Sequence, residues 1–232
     1  MKDVQLNTLK HLPKGHGSKH LVNLRYKKYF RKTSLKQKGV GDFFLSEIAQ
    51  KKPKTFLEVG VFHGVTARNV CELLYSIHGN DFNYIGLDLF EENDETISEV
   101  IPNTKFKNPL KTIYFNYIKR LNPYSIEGVQ DLLKKFKNNV SLIKGNSNTI
   151  LKKIDMSKID YVFLDGGHDY LTVMNDLDCC NEVLINNGII LCDDYDLSYA
   201  PGVKLAIDEF TRANKLKCQI ICTDRFAKIE KN

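Results

Sequence analysis

Apolar positions along this chain alternate between two kinds of pattern. Short, nearly continuous runs occur at Phe56-Leu57-Glu58-Val59, at 84–89, at Val140–Lys144, at Asp160–Asp165 and at Gly188–Asp193, and each is rich in β-branched and aromatic residues. Runs that are apolar on both faces predict strands buried in a parallel sheet. Between them the period lengthens. Positions 70, 73, 74 and 77 predict a helix that ends at His78-Gly79-Asn80, and Leu171, Met174, Leu177, Cys180 and Leu184 predict another. Helical patterns also cover about 110–121, 125–136, 148–154 and Gly202–Asn214, and the chain closes with strands at 218–223 and 226–230 joined tightly by Asp224-Arg225. Strands alternating with helices imply an α/β sheet wound on both faces, with its ligand site outside the carboxyl ends of the strands.

The first fifty residues follow neither pattern. Residues 1–20 have no sustained period and predict a loose start. From Leu21 to Thr33, apolar residues at 22, 26, 29 and 30 share one helical face, with Arg25, Lys27, Lys28, Arg31 and Lys32 around the rest, which predicts an amphipathic basic helix. Asp42 is placed to cap a second helix carrying Phe43, Phe44 and Ile48, which Pro53 would stop. Charge marks the same boundary. Residues 1–54 hold 14 Lys or Arg against 3 Asp or Glu, while residues 55–232 hold 20 against 25. The division expected is therefore a basic helical cap segment, 1–54, and a main domain, 55–232, with a helical insertion at about 91–139. A basic segment can serve an anionic partner, and a solvated basic face is an equally good account of it.

At 232 residues, 42% hydrophobic and 27% charged, the chain is ordinary for one globular domain that buries roughly 70% of its unfolded surface. It has no apolar run long enough to span a membrane and no secretory pattern, so the expectation is cytoplasmic. The six cysteines form no C-x-x-C pair, and several fall on apolar faces, which predicts small buried hydrophobes rather than a disulfide framework or a zinc site.

The glycine-punctuated loop after the first strand reads Glu58-x-Gly60-x-x-x-Gly64, with Phe62-His63 inside it. This is not G-x-G-x-x-G, and a pyrophosphate fits it poorly. Gly60 and Gly64 are expected to admit positive φ and to leave room for a ligand. Glu58, in a buried run, requires a cationic or donor partner, a nearby lysine among the options. Asp88 ends the second strand, where a carboxylate can accept both hydroxyls of a ribose. This ordered pair of motifs resembles the class I S-adenosylmethionine-dependent methyltransferases, and the strand and helix order extends the resemblance over most of residues 39–230. The resemblance implies a Rossmann-like seven-stranded sheet, mostly parallel with an antiparallel C-terminal strand. It also implies S-adenosylmethionine as cofactor, S-adenosylhomocysteine as product, and helices over the active site. Cofactor contacts would come from Glu58, Gly60, Gly64, Asp88 and Asp165, and from Asn146 and Ser147 in the turn that touches the adenine.

Leu164-Asp-Gly-Gly-His-Asp-Tyr170 and Cys192-Asp-Asp-Tyr-Asp196 sit where two neighbouring strands end. Asp165, Asp193 and Asp194 can converge there, and three adjacent carboxylates repel unless a cation compensates. An all-oxygen set points to magnesium, with manganese or calcium compatible. The plainer account is that Asp193 or Asp194 caps a turn and Asp165 bonds the Gly166-Gly167 amides. The segment resembles the macrocin and other sugar O-methyltransferases, whose Asp-Gly-x-His turn and acidic pair bind the ion; that implies Asp165, Asp193 and Asp194 as ligands. His168 is the candidate general base for a hydroxyl proton, with Asp165 beside it in the catalytic set. His63, inside the glycine loop, is expected to fill space. The acceptor expected is a small hydroxylated, sugar-like molecule. Two alternatives remain: a nucleic-acid methyltransferase using the basic arm, which lacks an N-P-P-Y-like clamp, and a non-catalytic protein that keeps the fold. Oligomeric state is left open, a homo-oligomer included.

Overall fold

The computed structural model describes residues 25–90, 106–153 and 158–232. The expected loose start, the first residues of the basic helix and the acidic opening of the insertion lie outside these. Seven strands form one sheet in the order β3-β2-β1-β4-β5-β7-β6. They are β1 (Thr55–Val59), β2 (Asn83–Asp88), β3 (Val140–Lys144), β4 (Ile159–Leu164), β5 (Leu184–Cys192), β6 (Lys217–Ile221) and β7 (Phe226–Glu230). Only β7 is reversed, pairing antiparallel with both β5 and β6. The sheet is thus Rossmann-like and mostly parallel, as its run pattern implies. β5 begins earlier than the apolar run from Gly188, because Ile159 of β4 pairs with Leu184 before an irregularity that resumes at Tyr161 and Ile189.

Helices cover both faces. α1 (Val40–Lys51), α2 (Val65–His78) and α4 (Ile126–Leu133) bury Phe44, Ile48, Val70, Leu74, Val129 and Leu133 against Phe56, Tyr84, Phe163 and Phe226. On the other face α6 (Tyr170–Val183) and α7 (Pro201–Ala213) bury Leu177, Cys180, Val203 and Phe210 against Leu57, Val162, Ile190 and Ile229. Phe56 and Leu57 are neighbours in sequence and lie in opposite cores, the alternation that makes β1 apolar throughout. Each fully buried side chain of this size contributes about 1.5–3 kcal/mol. α3 (Pro109–Ile113) continues as a π-helical turn through Lys119, and α5 (Ser147–Ile150) continues as a 3₁₀ turn through Lys153. Cys71, Cys179, Cys180 and Cys192 are buried and all six cysteines are free, as expected of small hydrophobes. Among the described residues no helix is long and apolar enough to cross a membrane.

The basic helix is not formed over residues 25–33, which are extended and turn-like. Tyr29 and Phe30 have φ of 46° and 61°, which no α-helix tolerates. What defeats the helical period is tertiary bonding. Arg31 is buried and donates to the carbonyls of His63, Pro123 and Gly128 at 3.1, 2.9 and 2.7 Å. The Tyr26 hydroxyl bonds Thr33 and Thr66, and Asn69 bonds both the amide and the carbonyl of Lys27. The arm is a strap laid across the start of α2, not a helical cap. Asp42 is likewise not an N-cap. Gly39, at φ 82°, takes that position, and Asp42, in the first turn, accepts the Tyr26 amide at 2.6 Å.

Candidate active site

Strand order reverses between β1 and β4, and the crevice opens above that point. The residue following each strand is tied to its neighbour: Gly60 N to Leu87 O at 2.9 Å, Gly145 N to Asp88 O at 3.0 Å, Asp165 N to Val59 O at 2.8 Å, and Asp193 N to Leu164 O at 2.9 Å. This ladder sets Asp88, Gly60, Asp165 and Asp193 in a row along the carboxyl edge. Asp88, Asp165, Asp193 and Asp194, far apart in the sequence, are brought to one edge of one sheet, while Glu58 stays inside β1.

The glycine loop has positive φ at Gly60 (95°), Phe62 (51°) and Gly64 (71°). The space these glycines leave is filled by the chain itself. A Cβ on Gly60 would meet the Asp165 carbonyl oxygen at 2.1 Å, and one on Gly64 would meet Val129 Cγ1 at 2.8 Å. They allow close packing of β1's loop on the β4 turn and on α4, and Gly60 also lines the cavity described below. Asp88 holds the loop from the other side, accepting from Phe62 N at 2.7 Å and Phe90 N at 2.9 Å. Burial raises its pKa, opposed by those amides and by the Tyr124 hydroxyl. Asn146 and Ser147 follow Gly145 beside it, and the Asn146 side chain caps α5 by accepting Asn148 N at 3.0 Å.

Glu58 is completely buried, and its partner is the Tyr84 hydroxyl at 2.5 Å rather than a lysine. It lies beneath the loop in the core with Phe56. Burial pushes its pKa from 4.5 up to about 8, so the folded protein holds it protonated at neutral pH. The unfolded chain ionises first, so this contribution is fully present below pH ~4.5 and is lost as pH rises towards about 8. Glu58→Gln keeps the Tyr84 bond and removes the titration. Its melting temperature is expected to gain on the wild type steadily between pH 5 and 8; parallel curves would show an ionised Glu58.

Asp165, Asp193 and Asp194 converge as their positions imply, with one carboxylate oxygen of each within 4.8 Å of the others. Burial first, then Asp193 and Asp194, pushes Asp165 well above the ordinary carboxylate range. Burial and then Asp194 raise Asp193 to about 6 despite Arg225. Arg225 Nη2 lies 2.6 Å from Asp193 and 3.4 Å from Asp194, and Ser34 Oγ donates to Asp165 at 2.7 Å. Asp193 also accepts the Asp194 amide at 2.8 Å. Sequence reading missed both partners. Arg225 was foreseen only as a hairpin residue, although a hairpin there necessarily returns it beside the end of β5; nothing local marks Ser34, which the strap delivers. His168 Nε2 is 3.2 Å from Asp194 Oδ2, with Tyr199 beside the ring at 6.3 Å.

Between the glycine loop, the strap and α3 lies a cavity of about 690 Å³, with Asp165, His168 and Asp194 at one end. A methyltransferase-domain model matches residues 57–195, more than half of the chain, and spans the glycine loop, Asp88 and the acidic trio. The chain belongs to this family of S-adenosylmethionine-dependent methyltransferases. Solved structures of similar fold include the O-methyltransferase NovP (TM-score 0.61, 17% identity, 83% of this chain and 81% of that one). They also include CalS11, a TDP-rhamnose 3'-O-methyltransferase (0.56, 15%, 84% and 81%), and the Podospora anserina methyltransferase PaMTH1 with S-adenosylhomocysteine bound (0.54, 19%, 83% and 77%). An uncharacterized protein of Acanthamoeba polyphaga mimivirus is 29% identical over 142 residues, 56% of this chain and 59% of its own length. This chain therefore spans less than two thirds of that relative.

The acidic trio fits a hard divalent ion. It offers three oxygen donors on adjacent strand ends, and Arg225 supplies one positive charge against three carboxylates. Burial first and then the surplus negative charge hold Asp165 and Asp193 high, and a divalent cation relieves the second cause.

Proposed function

We propose that this methyltransferase transfers the S-adenosylmethionine methyl group to a hydroxyl oxygen of a small, sugar-like acceptor, with a divalent ion, magnesium by its oxygen ligands, at Asp165, Asp193 and Asp194. The observation that carries this reading is the trio, two of whose members line the cavity, with His168 hydrogen-bonded to one of them. The ion supplies Lewis acidity that lowers the pKa of the acceptor hydroxyl. S-adenosylmethionine supplies an electrophilic methyl group. The protein's own part is positioning and proton removal. His168, held by Asp194 through its Nε2 contact, is the base for the hydroxyl proton. Asp88, at the carboxyl end of β2, takes the ribose hydroxyls, and Asn146 and Ser147 border the adenine. CalS11 and NovP, which share the fold, are described as O-methyltransferases, and the former's acceptor is a sugar. The test is turnover of methyl-labelled S-adenosylmethionine against hydroxylated and amine acceptors. O-methyl ethers support the reading, whereas N-methyl products or no turnover overturn it.

Asp88→Ala is expected to cost about 2–3 kcal/mol of S-adenosylhomocysteine affinity, roughly 30- to 150-fold, since the lost carboxylate makes charge-assisted bonds to the ribose. It also frees the Phe62 amide, so part of the cost is loop order. Equal affinity by calorimetry would remove Asp88 from the cofactor site.

A further inference from the structure

Besides Asp165 and Asp194, the same cavity is walled by Lys28, Lys32, Lys36, Lys107 and Lys111, drawn from the strap and from the start of α3. Asp165 and Asp194 are the only carboxylates among the described residues lining it. Lys28, Lys36, Lys107 and Lys111 make no ion pair with any described residue. The lysines repel one another: after burial, Lys107, Lys36 and Lys111 are what lower the pKa of Lys32. A folded chain holding like charges together forgoes stability unless something anionic sits among them.

His63 supplies an independent sign. Its side chain lines the cavity and has no exposed surface, yet neither ring nitrogen has a partner. Burial, then Arg31, Lys32 and Lys111, lower its pKa to about 3, so it is neutral and offers one N–H donor and one acceptor. The ring is gripped by Phe62 at 4.2 Å and edge-on by Phe106 at 5.6 Å, the packing expected of a residue that fills space. Buried nitrogens left unmade are costly, which points to a bond supplied by a ligand. The cofactor's methionine carboxylate accounts for one negative charge, and Lys28, Lys36, Lys107 and Lys111 exceed that need.

We infer that the acceptor is a phosphate-bearing hydroxylated molecule, its phosphoryl group held among these lysines and by His63 while its hydroxyl reaches Asp165 and His168. This rests on the O-methylation reading for which end of the acceptor reacts, but the phosphate site itself can be tested without turnover. Calorimetry of the full chain with S-adenosylhomocysteine bound would use inorganic pyrophosphate as probe. Binding is expected, and Lys36→Gln/Lys107→Gln, two exposed positions, should weaken it about tenfold or more while leaving S-adenosylhomocysteine affinity unchanged and the melting temperature no lower. His63→Phe, which keeps the ring, should weaken it as well. No binding at millimolar pyrophosphate, or binding indifferent to these variants, overturns the inference and leaves O-methylation of a neutral acceptor standing. If the lysine variant weakens S-adenosylhomocysteine instead, the lysines serve the cofactor and the inference also falls. A short RNA that outcompetes pyrophosphate with a steep salt dependence would make the occupant a nucleic acid and overturn it too. Pyrophosphate binding with no O-methyl product from any phosphorylated acceptor would sink the proposed reaction and keep the site.

Discussion

Asp165→Asn is expected to lower methyl transfer by more than about 100-fold while S-adenosylhomocysteine binds nearly as before. The magnitude follows from metal sites in general, where losing a group behind a ligand already costs 10- to 100-fold, and losing the ligand itself costs more. The substitution keeps shape and removes one of three crowded charges. Burial together with Asp193 and Asp194 already pushes the Asp165 carboxyl far up, so its anionic form is held at a cost in stability. The variant should therefore melt no lower than the wild type, and a fall in activity cannot be ascribed to unfolding. Chelation makes the same cut without mutation: excess EDTA should stop turnover, spare cofactor binding, and be reversed by magnesium. Undiminished turnover in EDTA would show that Arg225 and Ser34 are all the trio requires, and the cluster would then be structural.

The fold was legible because its signals are local and repeated. Phe56–Val59, Tyr84–Asp88 and Tyr161–Leu164 are apolar on both faces, which only a strand covered on both sides satisfies, and the helix periods between them force the crossovers. The site was legible in part for the same reason: a parallel sheet delivers the residues after its strands to one edge, so Asp88, Asp165 and Asp193 had to be neighbours. Long-range partners were not. Arg31 carries a surface residue's signature in a basic run and is buried under three carbonyls, contacts lying 32 to 97 residues away. Gly60 reads as a ligand loop, and only the position of the Asp165 carbonyl reveals that the chain itself occupies the space. Glu58 shows the limit in another form. Sequence predicts that a buried acid needs a partner, but not that a tyrosine one strand away satisfies it without charge.

His168→Ala is expected to lower kcat by about 10²–10⁴-fold, the usual worth of a positioned general base, with little change in cofactor affinity. Geometry favours the role. The tight Gly166-Gly167 turn returns the ring towards the trio, Asp169 caps α6 through the amides of Leu171 and Thr172 at 3.0 Å, and Asp194 fixes the ring by its bond to Nε2. The His168 side chain is 41% exposed, so truncation removes little buried surface and the melting temperature should hardly move. Those two readouts separate the possibilities. A base lost from a rigid site lowers kcat and leaves KM for S-adenosylmethionine and the melting point alone. A packing histidine does the reverse: the variant would melt several degrees lower and keep its turnover at a permissive temperature. In that event the hydroxyl proton leaves to water or to a neighbouring carboxylate, with Asp194 beside the vacated ring.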